Sequence, residues 1–477
     1  MSLSRYFKGP STSLDDQVES FATDRVPADQ RWPRPAVLLV LTANVTAMFW
    51  FSLGGQLGFL LGWPLMLLPI AYMVVVATVL GSAIMRISSR EGLSVPLLTR
   101  GLGFGSKGAA VASVVYGFNY VFYFLFEGSI VAHALSEFLH VSITSVAAVL
   151  VFCMVGVVAL LSAWRGMHSM NLLQRWGTPL FLVLFVIGMI MLARGYVLVG
   201  PGEWKATGGI GAATIWQGIN LANGQIVFQG LIATDYGRFV RTRVGYRGTG
   251  ALMLVELLMI AGVMLIGALI GFTMLDHFKG PEAELSATDP GLYFVTFMGV
   301  LGVVFAVITQ IRINVVNLYS GSLALSNAWD ATMSRRIGRQ WWMVGLLVLG
   351  VVGYPMNILQ YTGTFLAITG IMTNTWVLIL LADYFVCRRL CGLAPTREIE
   401  FRDGRVRDWN PCGLISMAAG VFAGALGILG VYPDYYASFI AMIVGPVVHI
   451  PLTLATRGRF YTVPGSRHPD AKVSAPV

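Results

Sequence analysis

The sequence predicts an all-α integral membrane protein with twelve transmembrane helices. Of its 477 residues, 56% are hydrophobic and only 12% are charged, whereas soluble domains carry about 25% charged residues. Twelve apolar segments are long enough to cross roughly 30 Å of hydrocarbon. The 32 Lys and Arg residues fall on one side of the resulting topology, apart from Arg194, Lys205 and Lys279 outside and Arg312 within the membrane. This asymmetry predicts cytosolic termini and a location in the cell (plasma or inner) membrane.

The twelve segments divide the chain between two polar tails. In order, they span residues 36–61, 64–85, 108–137, 143–163, 176–194, 212–234, 249–275, 292–328, 342–358, 361–386, 413–431 and 435–456. Residues 1–35 are predicted to form a cytosolic tail, residues 387–412 a cytosolic loop, and residues 457–477 a second cytosolic tail. From Tyr461 onwards the tail is rich in proline, serine and charge, a composition typical of disorder.

Composition also excludes several classes of function. The net charge of +9 is spread over alternate loops and forms no single patch, so nucleic-acid binding is not expected. Cys387, Cys391 and Cys412 flank one predicted loop, but no fourth ligand of suitable spacing accompanies them, so we predict no metal and no cofactor. The sequence shows neither a histidine cluster nor a Ser/His pair in the core, and we therefore do not expect an enzyme.

Segment 8 places unusual polarity in the middle of the membrane. Its stretch Thr309–Asn327 carries Arg312, Asn314 and Asn317 among apolar residues. A charge at that depth costs roughly 2.5–3.5 kcal/mol on insertion scales and is normally paired. Glu127 of segment 3 is the acidic residue at similar depth, which predicts a polar site built around a Glu127–Arg312 ion pair.

Segments 1 and 6 also differ from simple lipid-facing helices. Segment 1 contains Asn44 and Thr46 followed by Ser52–Gly58, and segment 6 contains Gly218–Gly230. Both carry glycine and amide residues where distorted backbone is tolerated only beside a cavity. They are also the first helix of each half when ten helices are split five and five, which predicts interruptions that frame a midplane binding site. The alternative is that the glycines only allow close helix packing.

Six short sequence motifs make the chain resemble a known family. They are VPADQR (Val26–Arg31), LTANVT (Leu41–Thr46), RGLGFGSKG (Arg100–Gly108), ATDYGRF (Ala233–Phe239), NLYSGSLALSN (Asn317–Asn327) and LADYF (Leu381–Phe385). In this order they resemble the nucleobase:cation symporter family, in its purine–cytosine permease branch. The resemblance implies the leucine-transporter fold: inverted repeats over residues 36–195 and 196–386, then two further helices within 413–456. It also implies alternating access and cation-driven uptake of a flat heterocycle.

The resemblance also suggests the substrate site. In the family, an aromatic residue and an amide four positions later on helix 3 stack on the ligand ring and bind its edge. Tyr123 and Glu127 fall on these positions, and spacing of four places them on one helix face. Phe228 is a candidate second stacking face, and Asn317 corresponds to the family's binding asparagine. The predicted substrate-binding residues are Asn44, Thr46, Tyr123, Glu127, Gln225, Phe228, Gln229, Asn314 and Asn317.

The predicted coupling ion follows from a departure from the family pattern. The family's two sodium-binding hydroxyls on helix 8 fall on Ile311 and Arg312, which cannot coordinate Na⁺. We therefore expect Arg312 to be a fixed substitute for the cation and Glu127 to carry a proton. A register shift of one residue would restore a hydroxyl, because Thr309 is close, so Na⁺ coupling stays open. Asp235 and Asp383 are expected to pair with Arg238 and Arg388, and Glu256 is assigned no role.

These observations predict an importer of a small planar nitrogen heterocycle, such as cytosine, a purine, a hydantoin or a thiamine-precursor pyrimidine. Its expected partners are this substrate, the coupling cation H⁺ and the lipid bilayer, and the oligomeric state is left open. The alternatives are an amino-acid or polyamine transporter of the same fold, Na⁺-coupled symport, exchange, and a membrane sensor that binds its ligand without moving it.

Overall fold

A computed structural model describes residues 24–164, 167–241, 244–333, 337–393, 395–396 and 398–464. Within these ranges the chain consists of helices and connecting loops, and the isolated bridges Trp32–Val240 and Val406–Thr462 are its only β-pairings. Most of what the sequence predicts for the two tails concerns residues 1–23 and 465–477, which lie outside the described part.

Six long helices lie in the first half of the chain, counted over the residues that the structure describes. They are α1 (Arg34–Val45), α2 (Met48–Leu61), α3 (Leu67–Glu91), α4 (Ala110–Phe138), α5 (Val146–Trp164) and α6 (Met167–Gly195). A short helix, Val95–Thr99, and a π-helical turn, Arg100–Phe104, connect α3 to α4.

The second half contains the remaining helices. They are α7 (Ala212–Gly237), α8 (Gly245–Met274), α9 (Pro290–Met298), α10 (Val300–Thr332), α11 (Arg339–Gly353), α12 (Thr362–Thr369), α13 (Thr375–Ala382), α14 (Pro411–Ile428) and α15 (Ala437–Ala455). The π-helical turn Gly370–Asn374 joins α12 to α13, and a second one, Asp383–Leu390, extends α13. Such turns are frequent at functional sites.

The predicted all-helical membrane fold is confirmed. Each of the twelve apolar segments coincides with helical structure, and nine helical stretches of the described residues are long and apolar enough to cross a membrane. The count of twelve crossings and the inverted repeat stay predictions. Segment 8 is not one helix, because Gly299 adopts a φ of 57° and separates α9 from α10.

Segment 1 is interrupted, as the sequence predicts. The helix stops after Val45, and Ala47 is extended, with φ −65° and ψ 132°, before α2 begins. The glycine-rich stretch Ser52–Gly58 lies beyond the break and is helical. Its Gly54 instead allows close packing on α8, because a Cβ there would lie 1.9 Å from the Met264 carbonyl oxygen.

The predicted interruption of segment 6 is wrong, because α7 is continuous from Ala212 to Gly237. Two of its glycines, Gly224 and Gly230, face the backbones of neighbouring helices. A Cβ on Gly224 would lie 2.4 Å from the Leu366 carbonyl oxygen, and one on Gly230 would lie 2.9 Å from Cα of Gly81. Close packing therefore explains these glycines, which is the alternative that the sequence left open.

The helix packing places the predicted polar residues around the break in segment 1. Helix α10 lies along α4, α7 lies along α3, and α8 packs on both α2 and α3. Helix α1 contacts α7 and α8, and α2 contacts α4 and α7. The ends of α1 and α2 at the break are thus surrounded by the three helices that carry Glu127, Gln229 and Glu256.

The described parts of both tails are docked on helix ends of the main bundle. Arg25 lies 3.1 Å from the Glu91 carboxylate, and the Trp32 ring stacks on Phe239 at 4.6 Å. At the other end, Tyr461 is buried and donates a hydrogen bond to Asp383. Burial, followed by the Asp383 carboxylate, raises the pKa of Tyr461. The tail therefore begins as ordered structure, and its predicted disorder from Tyr461 is wrong for residues 461–464.

The contact between α2 and α8 gives a first prediction. A Cβ on Gly267 would lie 2.1 Å from the Phe51 carbonyl oxygen, whereas nothing lies within 4 Å of one on Gly262 of the same helix. We expect Gly267→Ala to lower the free energy of unfolding by about 1–3 kcal/mol through overpacking. Gly262→Ala is the matched control and should leave it unchanged or raise it slightly. Thermal unfolding in detergent measures both, and equal melting temperatures would contradict the proposed close contact.

Candidate functional site

The break in segment 1 is the centre of a buried polar cluster. Asn44, in the last turn of α1, donates from Nδ2 to Gln229 Oε1 at 2.6 Å and to Glu256 Oε1 at 3.2 Å. Its carbonyl oxygen accepts a hydrogen bond from the Trp50 indole at 3.1 Å. The side-chain amide and the backbone carbonyl group of Asn44 thus bind side chains of α2, α7 and α8.

The cluster continues along α7 to the aromatic residue predicted on helix 3. Gln229 Nε2 donates to Gln225 Oε1 at 3.0 Å, and Gln225 Nε2 donates to the Tyr123 hydroxyl at 2.6 Å. Residues four apart on a helix share a face, which is why both glutamines line one side of α7. The structure therefore brings together Asn44, Tyr123, Gln225 and Gln229.

The two predicted stacking residues are in direct contact. The rings of Tyr123 and Phe228 stack with centroids 5.2 Å apart and an angle of 24° between their planes. A planar ligand held between two rings needs about 7 Å, or two van der Waals contacts of about 3.5 Å. The pair must therefore separate before it can hold a ligand on both sides. Phe49 packs edge-on against Tyr123 at 5.3 Å.

Glu127 lies at the start of α2. Its Oε1 accepts a hydrogen bond from the Phe49 backbone N–H at 3.4 Å. A helix N-terminus carries unpaired N–H groups and the positive end of the helix dipole, so it attracts a carboxylate. Gln310 of α10 is a further neighbour. Oε2 has no hydrogen-bond partner among the described residues.

The predicted ion pair between Glu127 and Arg312 is not formed. Arg312 instead donates from Nη2 to Thr46 Oγ1 in the break and from Nη1 to Thr178 Oγ1 of α6 at 3.1 Å. Its guanidinium also lies 5.9 Å from the centre of the Phe181 ring. The two charges have separate partners: α2 binds the carboxylate, and hydroxyls of the break and α6 bind the guanidinium.

Asn314 and Asn317 form a second polar pair on α10. The side-chain amides of Asn314 and Asn317 lie 3.2 Å apart. Asn314 is fully buried, and its amide would lie 3.2 Å from a Cβ on Gly128 of α4. Neither residue shares a hydrogen bond with the Asn44 cluster. Asn314 thus lies in the interface between α4 and α10, while Asn317 is slightly accessible.

The structure adds residues to which the sequence reasoning gave no role. Glu256 is fully buried and contacts the break through Asn44. Thr178 binds Arg312, and both amide atoms of Gln310 lack a hydrogen-bond partner among the described residues. For Glu256 the sequence did contain a signal, because an acidic residue inside an apolar segment is by default a candidate functional residue.

The predicted cysteine group is arranged differently from the sequence expectation. Cys387 lies with Asp383 and His449, and one possible ligand atom from each lies within 4.8 Å of the other two. His449 Nε2 is 3.0 Å from Asp383 Oδ1, and Arg388 Nε is 3.6 Å from Asp383 Oδ2. These pairings account for the contacts of the carboxylate, and the absence of a metal stays a prediction.

The fold is that of a helical membrane protein with a buried polar site. Residues 26–450 match the family described as permeases for cytosine/purines, uracil, thiamine and allantoin. The match covers most of the chain, which therefore belongs to this family. No curated protein matches the chain at a significant level.

Solved structures support the same fold. The chain is similar to Mhp1, a nucleobase-cation-symport-1 family transporter solved in a closed conformation with bromovinylhydantoin bound. The TM-score is 0.69 at 17% identity, covering 92% of this chain and 96% of that chain. The inward-facing conformation of Mhp1 gives a TM-score of 0.68 at 17% identity, covering 91% and 93%. A manganese transporter from Eremococcus coleocola gives 0.53 at 12% identity, covering 92% and 98%.

The contact between Glu127 and α2 gives a second prediction. Glu127→Leu removes the acceptor of the Phe49 N–H and should lower the free energy of unfolding by about 1–3 kcal/mol, the cost of an unsatisfied buried donor. Glu127→Gln keeps an oxygen acceptor and is the matched control, with a smaller loss expected. Chemical or thermal unfolding of the purified variants measures the difference. Equal losses for the two variants would show that the carboxylate does not serve the helix end.

Proposed function

We propose that the protein imports a small planar nitrogen heterocycle by proton-coupled symport with alternating access. The observation that carries this proposal is the hydrogen-bonded group Asn44–Gln229–Gln225–Tyr123, which lies next to a stacked aromatic pair at the break in the first helix. Family membership supports it, because the members are described as permeases for such heterocycles. The proposal includes a cell-membrane location with both termini in the cytosol, as the charge distribution indicates.

In this proposal the aromatic pair binds the faces of the ligand ring and the amides bind its edge. Tyr123 and Phe228 separate to take the ring, and Gln225 and Gln229 offer both donors and acceptors. Asn317, slightly accessible on α10, is an additional edge contact. The bromovinylhydantoin bound to Mhp1 is a flat ring with N–H and carbonyl groups, and it sets the class of ligand that we expect here.

The position of Arg312 supports a fixed positive charge in place of a bound metal cation. Its guanidinium joins α10 to Thr46 in the break and to Thr178 of α6. Arginine stays protonated at any relevant pH, so Arg312 cannot itself carry the coupling proton. Glu127, whose Oε2 has no hydrogen-bond partner among the described residues, is the proposed proton carrier.

A third prediction tests ligand class and coupling ion together. We expect uracil, cytosine, adenine, hypoxanthine or a hydantoin to raise the melting temperature of the purified protein. The shift should depend on pH between 5.5 and 7.5 and be the same with and without Na⁺, because Arg312 replaces the metal cation. An amino acid and a polyamine serve as negative controls.

Other outcomes of this measurement contradict separate parts of the proposal. A shift that needs Na⁺ at constant pH would overturn proton coupling. Stabilisation by an amino acid or polyamine alone would overturn the heterocycle. Binding without accumulation of radiolabelled ligand in vesicles would identify a sensor.

A fourth prediction concerns Arg312 itself. The double variant Ile311→Ser, Arg312→Thr introduces two hydroxyls at the positions where the resemblance expects them. Hydroxyl oxygens suit a hard cation, and removal of the guanidinium leaves Thr46 without its bound charge. We expect ligand binding by this variant to become dependent on Na⁺, with an affinity at least about tenfold weaker when Na⁺ is absent. Arg194→Ser, on the predicted outer side, is the control, and a double variant that ignores Na⁺ would refute the assignment.

A further inference from the structure

A continuous chain of side-chain hydrogen bonds joins Glu256 of α8 to Tyr123 of α4. It runs through Asn44, Gln229 and Gln225, with successive donor–acceptor distances of 3.2, 2.6, 3.0 and 2.6 Å. Glu256, Gln229 and Gln225 are at most 1% exposed, whereas Tyr123 is 8% exposed. The chain thus has a titratable carboxyl group at one end and the hydroxyl of the aromatic pair at the other.

Asn44 donates towards both ends of this chain, and every donor after it points towards Tyr123. Asn44 donates to Glu256 and to Gln229, Gln229 donates to Gln225, and Gln225 donates to the Tyr123 oxygen. An ionised carboxylate can only accept hydrogen bonds, so it fixes the orientation of Asn44 and then of each following amide. Because the Tyr123 oxygen accepts the last bond, its own proton is left for a ligand.

A proton on Glu256 removes this constraint. A protonated carboxyl group can donate to Asn44 Oδ1, and Asn44 can then accept from Gln229 as well. If Gln229 and Gln225 also exchange their oxygen and nitrogen positions, Tyr123 donates its proton to Gln225. The hydroxyl then offers only lone pairs to a ligand. The exchange rotates three side-chain amides and leaves their hydrogen-bond distances unchanged.

The other charged groups near α8 do not take part in this chain. Asn44 faces Glu256 from α1 and is the side chain that binds it. Arg34 lies at Gly248, eight residues or about 12 Å along the helix from Glu256. Other charged or titratable side chains lie on α8 and on the elements packed against it. They are Tyr72, Arg86, Arg90 and Glu91 of α3, Asp235 and Tyr236 of α7, Tyr246 and Arg247 of α8 itself, and Asp276, His277, Glu284 and Tyr293 near its outer end.

We propose that Glu256 is a specificity-determining residue. Its protonation state sets, through the orientation of Asn44, Gln229 and Gln225, whether the Tyr123 hydroxyl donates to the ligand or accepts from it. The inference rests on the proposed function, because it takes the ligand to be a heterocycle bound at Tyr123. With Glu256 ionised, the site prefers a carbonyl at the ligand edge. With Glu256 protonated, both chain directions are possible and the preference is lost.

Two matched ligand pairs test the proposal. Uracil and cytosine, and likewise hypoxanthine and adenine, present a carbonyl or an amino group at the same ring position. Calorimetry on the purified wild type should show the carbonyl member favoured at pH 8.5, with the preference reduced about tenfold at pH 5.5, the value of one mismatched buried hydrogen bond. Glutamine is neutral and can donate a hydrogen bond. We therefore expect Glu256→Gln to show, at every pH, the reduced preference that the wild type shows at pH 5.5. Glu137→Gln, outside the cluster, should behave like the wild type.

A measurement without ligand separates this inference from the proposed function. The difference between infrared spectra recorded at two pH values contains the bands of groups that change with pH. Subtraction of the same difference spectrum of Tyr123→Phe isolates the Tyr123 band, which reports whether the hydroxyl donates or accepts. We expect this band to shift with pH in the wild type but not in Glu256→Gln or in Gln229→Leu, where the chain is cut.

The outcomes are distinguishable. If neither the four bases nor a hydantoin binds, the proposed function fails, and the Tyr123 band still decides the role of Glu256. A wild-type band that ignores pH, or one that still shifts in both Glu256→Gln and Gln229→Leu, would overturn the inference. A ligand preference that changes equally with pH in the wild type and in Glu256→Gln would also overturn it.

Discussion

The interruption of the first helix between Val45 and Met48 is the constraint on which the site depends. Inside hydrocarbon, each backbone N–H and carbonyl group freed by a break must find a partner within the protein. Trp50 binds the carbonyl of Asn44, and Glu127 binds the N–H of Phe49. The polar residues that could bind a ligand are therefore also those that make the broken backbone stable in a membrane.

The three buried charges around the break have different partners. Glu127 lies at the positive end of α2, and Arg312 binds two hydroxyls and lies near an aromatic ring. Among the described residues, the hydrogen-bond partner of Glu256 is the neutral amide of Asn44. Since a buried charge is costly unless it is compensated, these surroundings separate the three groups by role. Arg312 is a permanent charge, Glu127 is bound to the backbone, and Glu256 is the least constrained.

The sequence predicted the all-helical membrane fold and the proximity of four polar side chains, and its errors have physical reasons. Asn44, Tyr123, Gln225 and Gln229 come together as expected, because amides inside apolar segments must bind one another. The predicted Glu127–Arg312 ion pair was wrong, because the depth of a residue within an apolar segment does not show that a helix end competes for the carboxylate. The break in α7 was wrong, because a glycine that accommodates a neighbouring backbone has the same sequence pattern as one that interrupts a helix. Glu256 received no role, since only the packing of α8 against α1 gives it a partner.

The glycine contacts between α2 and α8 have a mechanical consequence. Gly54 faces the backbone of Met264, and Gly267 faces the backbone of Phe51, so the two helices touch through main chain at both positions. Main-chain contact leaves no flexible side chain to absorb sliding or rotation of one helix on the other. We therefore expect helices α2 and α8 to move as a single rigid body. In the proposed transport cycle, we expect any tilt of α2 to carry Glu256 with it, and we expect the adjustable joint to be the short link at Thr46 and Ala47.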